Sequence, residues 1–190
     1  MPGVSVSVKA DVEAVREMIG KARNGVVNRA TASALNKAAK NVQVEASKQI
    51  RQYRHLPAAT VKKALTIIKA IPGRLSATII ASGRPIPLKQ YGAHTTKSGV
   101  TVTVMPESGS KVVTAFGNKA FQAPVYGDNV FVRTSQKRLP IKKLYGPSIP
   151  TAMVKDSVES ALRVSAGDNW PKRFKEELKY RLEQIGFNVQ

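Results

Sequence analysis

The sequence predicts an α+β fold in which N-terminal helices, a central antiparallel sheet and C-terminal helices follow one another. Apolar residues recur every three or four positions up to residue 64 and again after residue 148, the spacing of a buried helical face. The region between them consists of short β-branched runs bounded by Gly, Pro, Asn or Asp. Separate blocks of helices and strands are typical of α+β proteins. We predict a single domain over residues 1–190.

An N-terminal arm, residues 1–10, precedes a helical region that spans residues 11–64. A first helix is expected over 11–23, with Asp11 as its N-cap. A long helix is expected over 26–53, and a short one follows to residue 64 with a proline in its first turn. The long helix carries one apolar stripe: Leu35, Ala38, Val42, Ala46, Ile50 and Tyr53.

Residues 65–135 are predicted to be mainly β. Two β-branched runs flank the turn sequence Pro-Gly-Arg at 72–74, which indicates a hairpin. Residues 99–105 alternate valine with threonine, the pattern of an antiparallel strand with one buried face. Three more runs complete the predicted sheet: residues 111–116, 121–125 and 129–133.

Helices return over residues 148–190. One is expected over 150–162, and a final helix is expected to begin with Asp168 or Asn169 as N-cap and Pro171 in its first turn. The final helix carries an apolar stripe: Trp170, Phe174, Leu178, Leu182 and Ile185. This order of elements completes the α+β prediction.

The chain is strongly basic, with 31 lysine and arginine residues against 12 acidic residues, a net charge of +19 and a pI near 10.4. Residues 65–147 alone contain 12 basic residues and only two acidic ones, Glu107 and Asp128. Ion pairs within this region therefore cannot neutralise it. Such a surplus attracts nucleic acid or acidic proteins but carries no information about the fold.

Composition and motifs argue against catalysis. The absence of cysteine excludes disulfides and thiolate chemistry. The two histidines, His55 and His94, have no acidic residue close in sequence, and no P-loop, dinucleotide fingerprint or G-x-S-x-G turn occurs. We expect no enzyme activity, no catalytic residue, no cofactor and no metal site. No signal peptide and no membrane span are expected either.

A nine-residue phrase occurs twice, at residues 84–92 and 138–146, each time starting with Arg and ending in Tyr-Gly. Prolines fix φ and the closing glycine permits a positive φ, so each copy is predicted to be a rigid, turn-ended segment. Tyr91 and Tyr145 are expected to anchor their turns in the same way. Two interpretations stay open: docking loops, or edge-strand connections that resemble each other by chance. The predicted docking residues are Arg84, Pro85, Pro87, Tyr91, Gly92, Arg138, Pro140, Tyr145, Gly146 and Pro147.

Basic residues also cluster near the junction of two predicted helices and around the second phrase. The surface predicted to face DNA or an acidic partner comprises Arg51, Arg54, Lys62, Lys63, Arg133, Lys137, Arg138, Lys142 and Lys143. No RNA-binding strand motif or zinc knuckle occurs in the sequence. Any contact with DNA is therefore expected to involve only the sugar-phosphate backbone of the DNA and to weaken steeply as the salt concentration rises.

The two phrases and their surroundings also resemble a known family. The segments that carry the resemblance are 82–88, 92–93, 138–141 and 144–150, together with 35–39 in the long helix and the strand 99–104. In this order they resemble the minor tail protein Z family of tailed phages and prophages, over most of residues 30–153. The resemblance implies a structural protein of the virion tail or neck, assembled in the host cytoplasm, and not an enzyme.

The resemblance also implies the partners. A tail-completion or head–tail joining protein would contact further copies of itself in a cyclic ring, and neighbouring neck and tail proteins such as the tail terminator and the head–tail connector. Phage DNA, held by its backbone, is an additional partner that the charge suggests. The alternative function is a free nucleic-acid-binding protein without sequence specificity, which would not need to assemble into a ring.

Overall fold

The computed structural model describes residues 5–9 and 24–184. The helix predicted over 11–23 and the residue Ile185 lie outside the described residues. The chain divides into two compact units, and each is described by itself. Within the described residues, the first unit contains Ser47–Ala64 and Ser82–Lys155, and the second contains 5–9, 24–46, Leu65–Ala81 and 156–184. The single domain over 1–190 stays a prediction.

Helices near both ends of the described chain and short antiparallel strands between them confirm the α+β class. The helices are α1 (Asn24–Tyr53), α2 (Ala58–Ala64), α3 (Pro150–Met153) and α4 (Asp156–Gln184). The strands are β1 (Ser5–Lys9), β2 (Leu65–Ile68), β3 (Ser76–Ala81), β4 (Ile86–Pro87), β5 (His94–Thr96), β6 (Gly99–Val102), β7 (Lys111–Val112), β8 (Thr114–Ala115), β9 (Asn118–Lys119), β10 (Phe121–Ala123), β11 (Asn129–Arg133), β12 (Ile141–Lys143) and β13 (Tyr145–Gly146). Single 3-10 turns occupy Leu88–Tyr91, Pro106–Ser108 and Pro124–Tyr126.

The second unit contains an antiparallel sheet with the strand order β1-β3-β2. The predicted hairpin is confirmed, since β2 and β3 pair and a bridge between Ile71 and Arg74 closes the turn. On the other side of β3, β1 pairs along its whole length. The segment predicted to be an arm therefore contains a strand. Its alternation of valine and serine is a strand pattern, and β3 supplies the partner.

The alanine-rich half of α1 packs in the core of the second unit. Its residues Ala32, Leu35 and Ala39 form one buried cluster with Ala70 and Ala77 of the hairpin region, and Trp170 packs against that cluster. Small side chains allow the helix backbone to approach the hairpin closely. The predicted stripe on α1 is confirmed, because all its members are buried except Tyr53, which is half-buried.

The C-terminal helices differ from the prediction. The chain forms a short α3 and then one continuous helix, α4, in which Pro171 lies inside the helix. The predicted start at residues 168–169 was wrong. Asn169 does not cap a helix there; its side-chain amide donates to the Ser165 carbonyl oxygen at 2.7 Å and its oxygen accepts from Asn41 at 2.7 Å. Trp170, the residue before this proline, packs on the core, and long-range packing of this kind can offset the cost of an internal proline, roughly 3 kcal/mol.

The first unit contains several small sheets where one sheet was predicted. Their strand orders are β5-β6-β7, β10-β11-β12, β8-β9 and β13-β4. The predicted half-buried alternation holds in β6 and again in β11, where Val130 and Val132 are fully buried. Strands of two to five residues interrupted by glycines with positive φ, such as Gly117 and Gly127, cannot extend into one broad sheet.

Candidate functional site

The two copies of the repeated phrase lie side by side in the first unit. Strand β4 of the first copy pairs antiparallel with β13 of the second, so Ile86 faces Gly146 and Pro87 faces Tyr145. The backbone amide of Leu88 extends the pairing by donating to the Leu144 carbonyl oxygen at 3.2 Å. Each phrase thus contributes one strand of a two-stranded ribbon, and the two form a single structural element.

Tyr91 of the first copy ties this element together. Its ring is fully buried, and its hydroxyl donates a hydrogen bond of 2.5 Å to the carbonyl oxygen of Pro147. The ring also lies directly against the backbone of Gly146. Burial raises the pKa of the Tyr91 hydroxyl to about 12, although the nearby charge of Arg54 lowers it. Tyr91 was predicted to be a docking residue, but its side chain is buried beneath the ribbon and is not accessible to a partner.

The two tyrosines do not play the same role, so that prediction was wrong. Tyr145 is 53% exposed, and the Nζ of Lys143 lies 5.5 Å from the centre of its ring. The glycines differ as well: Gly92 has the expected positive φ of 66°, whereas Gly146 lies in β13 outside the left-handed region. Gly146 is needed for a different reason, because it leaves room for the ring of Tyr91.

The remaining predicted docking residues are accessible to different degrees. Exposed positions are Arg84, Pro85, Arg138, Pro140 and Tyr145, and half-buried positions are Pro87, Gly92, Gly146 and Pro147. The exposed ones lie at the starts of the two phrases and on β13. A partner could therefore reach the ends of the ribbon, while its centre is held by Tyr91.

A pocket of about 420 Å³ lies between the C-terminal end of α1 and the 3-10 turn of the first phrase. We call it the cationic pocket; it is lined by Arg51, Arg54, His55, Leu56, Pro57, Lys89, Gln90 and Gly92. On the side of the 3-10 turn, the side-chain oxygen of Gln90 accepts a hydrogen bond of 3.0 Å from the hydroxyl of Thr60 on α2. On the α1 side, the amide of His55 donates to the Val104 carbonyl oxygen at 3.0 Å.

The three cations of the pocket differ in their local partners. The Nζ of Lys89 donates to the Gly127 carbonyl oxygen at 2.7 Å and lies 3.7 Å from the carboxylate of Asp128. Arg54 donates to the Tyr53 carbonyl oxygen at 3.2 Å and to the Thr151 hydroxyl at 3.4 Å. Arg51 is exposed and has no ion pair with any residue in the described part of the chain.

The other predicted basic residues occupy separate places. Arg133, Lys142 and Lys143 lie on the adjacent strands β11 and β12, where Arg133 stands 5.2 Å over the ring of Phe121 and Lys142 5.6 Å over that of Phe116. Lys137 and Arg138 lie in the exposed loop that joins these strands. Lys62 and Lys63 are exposed at the end of α2. The structure therefore brings Arg51 and Arg54 together with Lys89, but does not unite all nine predicted residues.

Sequence reasoning missed part of the pocket. The residues predicted to face DNA or an acidic partner did not include three that line the pocket, Lys89, His55 and Gln90. Lys89 occupies the sixth place of the repeated phrase, where both copies have lysine. The ring of His55 packs on Gly92, where a Cβ would meet its Cε1 atom at 3.0 Å. The repeated lysine was a usable signal for the pocket, whereas the closeness of His55 to Gly92 was not visible in the sequence.

The positive charge is concentrated in the unit that contains these features. Ser47–Ala64 and Ser82–Lys155 hold 16 basic and 2 acidic residues, a net charge of +14 out of the chain's +19. No group of histidine and acidic side chains able to hold a metal ion occurs within residues 5–9 and 24–184. In the same part of the chain, no helix has the length and apolar character needed to cross a membrane.

Comparison with known proteins supplies the family. Residues 8–186 match the family of the prophage minor tail protein Z, which confirms the resemblance. No curated protein and no solved structure matches the chain. The matched region includes both copies of the repeated phrase and every residue of the cationic pocket. The chain therefore belongs to the prophage minor tail protein Z family.

Proposed function

We propose that the chain is a subunit of a homo-oligomeric ring in the phage neck, which completes the tail and joins it to the head. Family membership accounts for the general role of a structural protein of the phage tail, which is located in the virion and contacts other tail proteins. The proposal adds that the protein assembles in the host cytoplasm and contacts the tail terminator and the head–tail connector. This role depends on surfaces that bind neighbouring proteins and involves no catalytic step.

The observation that carries this proposal is the net charge of +14 on the unit that also holds the paired phrases. Two acidic residues cannot neutralise sixteen basic ones, so this unit carries a surplus of positive charge that favours an anionic neighbour in an assembled particle. A ring through which DNA passes has such a neighbour, and so does a ring that docks on an acidic protein. Contacts with DNA would be made to the backbone and would weaken steeply with salt.

The paired phrases supply the docking element of this proposal. The exposed residues Arg84 and Pro85 directly precede β4, which pairs with β13. Arg138 and Pro140 lie in the loop before β12, where the proline restricts φ and the Thr134 amide donates to the Pro140 carbonyl oxygen at 3.2 Å. A preorganised surface loses little conformational entropy when it binds a partner. Rigid ends of this kind suit a subunit that must join neighbouring rings in one orientation.

The oligomeric state of the purified full-length protein tests the proposal. A ring subunit should form a closed oligomer of defined mass in sedimentation experiments without nucleic acid, since the contacts that close a ring are made between subunits. The same preparation should retain duplex DNA at low salt and release it as salt rises. A protein that stays monomeric or dimeric and still binds DNA would contradict the ring and favour the alternative, a free nucleic-acid-binding protein without sequence specificity.

A further inference from the structure

We propose that the cationic pocket is a receptor for an aspartate or glutamate side chain of a neighbouring protein. The inference rests on the proposed function only in that the neighbour is an assembly partner. A volume of about 420 Å³ is within the range of sites that bind small molecules, so it can admit an individual side chain. The chemical class of the ligand follows from the charges, the hydrogen-bond donors and the shape of the pocket.

The positive charge of the pocket favours an anionic ligand. Arg51, Arg54 and Lys89 all line it, and the acidic group beside them is Asp128, which lies 3.7 Å from Lys89 and is itself largely exposed. The only other acidic residue of the unit is Glu107, in the Pro106–Ser108 turn. The three positive charges around the pocket repel one another, and a bound carboxylate would offset this repulsion because it attracts each of them.

The N–H donors of the Arg54 guanidinium make only weak hydrogen bonds within the chain. Its two terminal nitrogens reach neutral oxygens at 3.2 and 3.4 Å, and its buried Nε donor has no acceptor among the described residues. Guanidinium groups bind carboxylates through two parallel N–H donors, and such charge-assisted bonds are shorter and stronger than bonds to neutral oxygens. A carboxylate would therefore improve on the present partners of Arg54. Lys89, held by the Gly127 carbonyl oxygen, is already positioned to add a further donor.

The shape of the pocket favours a protein side chain over a DNA phosphate. Its lining includes apolar groups, the buried Leu56 and the ring of Pro57, beside the backbone of Gly92. The methylene groups of an acidic side chain can pack on these while its carboxylate meets the cations. A phosphodiester is flanked by a sugar on both sides, so it reaches exposed cations such as Arg51 more easily than the interior of a concave site.

Matched charge-removal variants test the proposal. Arg51→Gln with Lys89→Gln removes two charges from the pocket, and Lys62→Gln with Lys63→Gln removes two charges elsewhere in the same unit. A fluorescent oligoglutamate peptide should bind the pocket variant about tenfold more weakly than the control variant, because two ion pairs to largely exposed cations are lost. A short DNA duplex should bind both variants equally. Arg51→Gln alone, at an exposed position, should show part of the loss without any change in folding.

Amide chemical shifts give the site of binding directly. On titration with the peptide, the largest changes in the wild-type protein should occur at His55, Leu56, Gln90 and Gly92. Equal peptide affinity of the two double variants, or absence of peptide binding to the wild type, would overturn the proposal. Selective loss of DNA binding in the pocket variant would overturn it in favour of a phosphate site. The oligomeric mass, measured without peptide, reports on the ring separately.

Discussion

The ring of Tyr91 lies against the backbone of Gly146, at the point where the two copies of the repeated phrase meet. A Cβ placed on Gly146 would lie 2.5 Å from Cε2 and 3.0 Å from Cδ2 of this ring, far inside van der Waals contact. The hydroxyl of the same tyrosine donates to the carbonyl oxygen of the next residue, Pro147, at 2.5 Å. Tyr91 of the first phrase therefore contacts the second phrase and the residue after it by both packing and hydrogen bonding.

We expect Gly146→Ala to lower the free energy of unfolding by about 1–3 kcal/mol, because the added methyl overpacks a site with no free space. Gly73→Ala is the control, since nothing lies within 4 Å of a Cβ at that position. Denaturant unfolding measures both. The cost of Gly146→Ala should be much smaller in a Tyr91→Ala background. An equal cost in both backgrounds would show that the ring is not the cause.

Tyr91→Phe should lower the free energy of unfolding by roughly 1–2 kcal/mol, because it removes the hydrogen bond to Pro147. Tyr145→Phe, at the same place in the second phrase, should change it by less than about 0.5 kcal/mol, since Tyr145 is exposed. Comparable effects of the two substitutions would mean that the phrases are equivalent after all.

The raised pKa of Tyr91 predicts a loss of stability in alkali. Burial raises this pKa from 10.0 to about 12 in the folded protein, so the neutral hydroxyl is favoured by folding. Its contribution to stability is complete below pH 10 and is lost as the pH rises through about 12. The wild type should therefore lose more stability than Tyr91→Phe over this range. Spectrophotometric titration of the tyrosines should show one hydroxyl that ionises last in the wild type and is missing in the variant.

The lowered pKa of Glu177 predicts that part of the protein's stability is lost in acid. Burial alone would raise the pKa of its carboxyl, but hydrogen bonds from Lys37 and Ser33 and the charges of Lys37 and Arg181 together hold it below the usual value. Because the folded pKa is lowered, this stability is present above the unfolded pKa and is lost as the pH falls through the folded one. Glu177→Gln should cost about 1–3 kcal/mol near neutral pH and less in acid.

The control for that substitution is Glu176→Gln, one residue earlier on α4. Its carboxylate is exposed and pairs with Arg173 at 3.0 Å, an arrangement that contributes at most about 1 kcal/mol. Unfolding curves measured at neutral and acidic pH compare the two variants. If both glutamines had the same small effect at every pH, the ion pair between the buried Glu177 and the exposed Lys37 would not stabilise the fold.

Asn36 on α1 makes two hydrogen bonds to the backbone of Ala70. Its amide donates to the Ala70 carbonyl oxygen at 3.0 Å, and its oxygen accepts from the Ala70 amide at 2.8 Å. Asn36→Ala leaves both backbone groups without these partners and should lower the free energy of unfolding by about 1–3 kcal/mol. Lys40→Ala, an exposed position one turn further along the helix, should have little effect. Hydrogen exchange of the Ala70 amide should speed up only in the Asn36 variant.

Local patterns were sufficient for several parts of this protein. The stripe on α1, the β2–β3 hairpin and the valine alternation in β6 follow from the periods of helix and strand, which are properties of neighbouring residues. The positive φ predicted for the closing glycines is found at Gly92 but not at Gly146, so the phrase pattern alone did not distinguish the two. The order of segments 82–88, 138–141 and 144–150 was enough to recognise the family.

Tertiary structure decided what depends on atoms that are distant in the sequence. The cationic pocket joins the end of α1 to a turn more than thirty residues away, and the repeated phrases become strand partners across more than fifty. Glu177 is buried on α4, and its carboxylate pairs with the exposed Lys37 of another helix, α1. Pro171 lies inside α4 against its local preference, next to Trp170, which packs on the core of the second unit. The sequence by itself determined the periods of the elements and the family, while long-range packing determined which side chains meet.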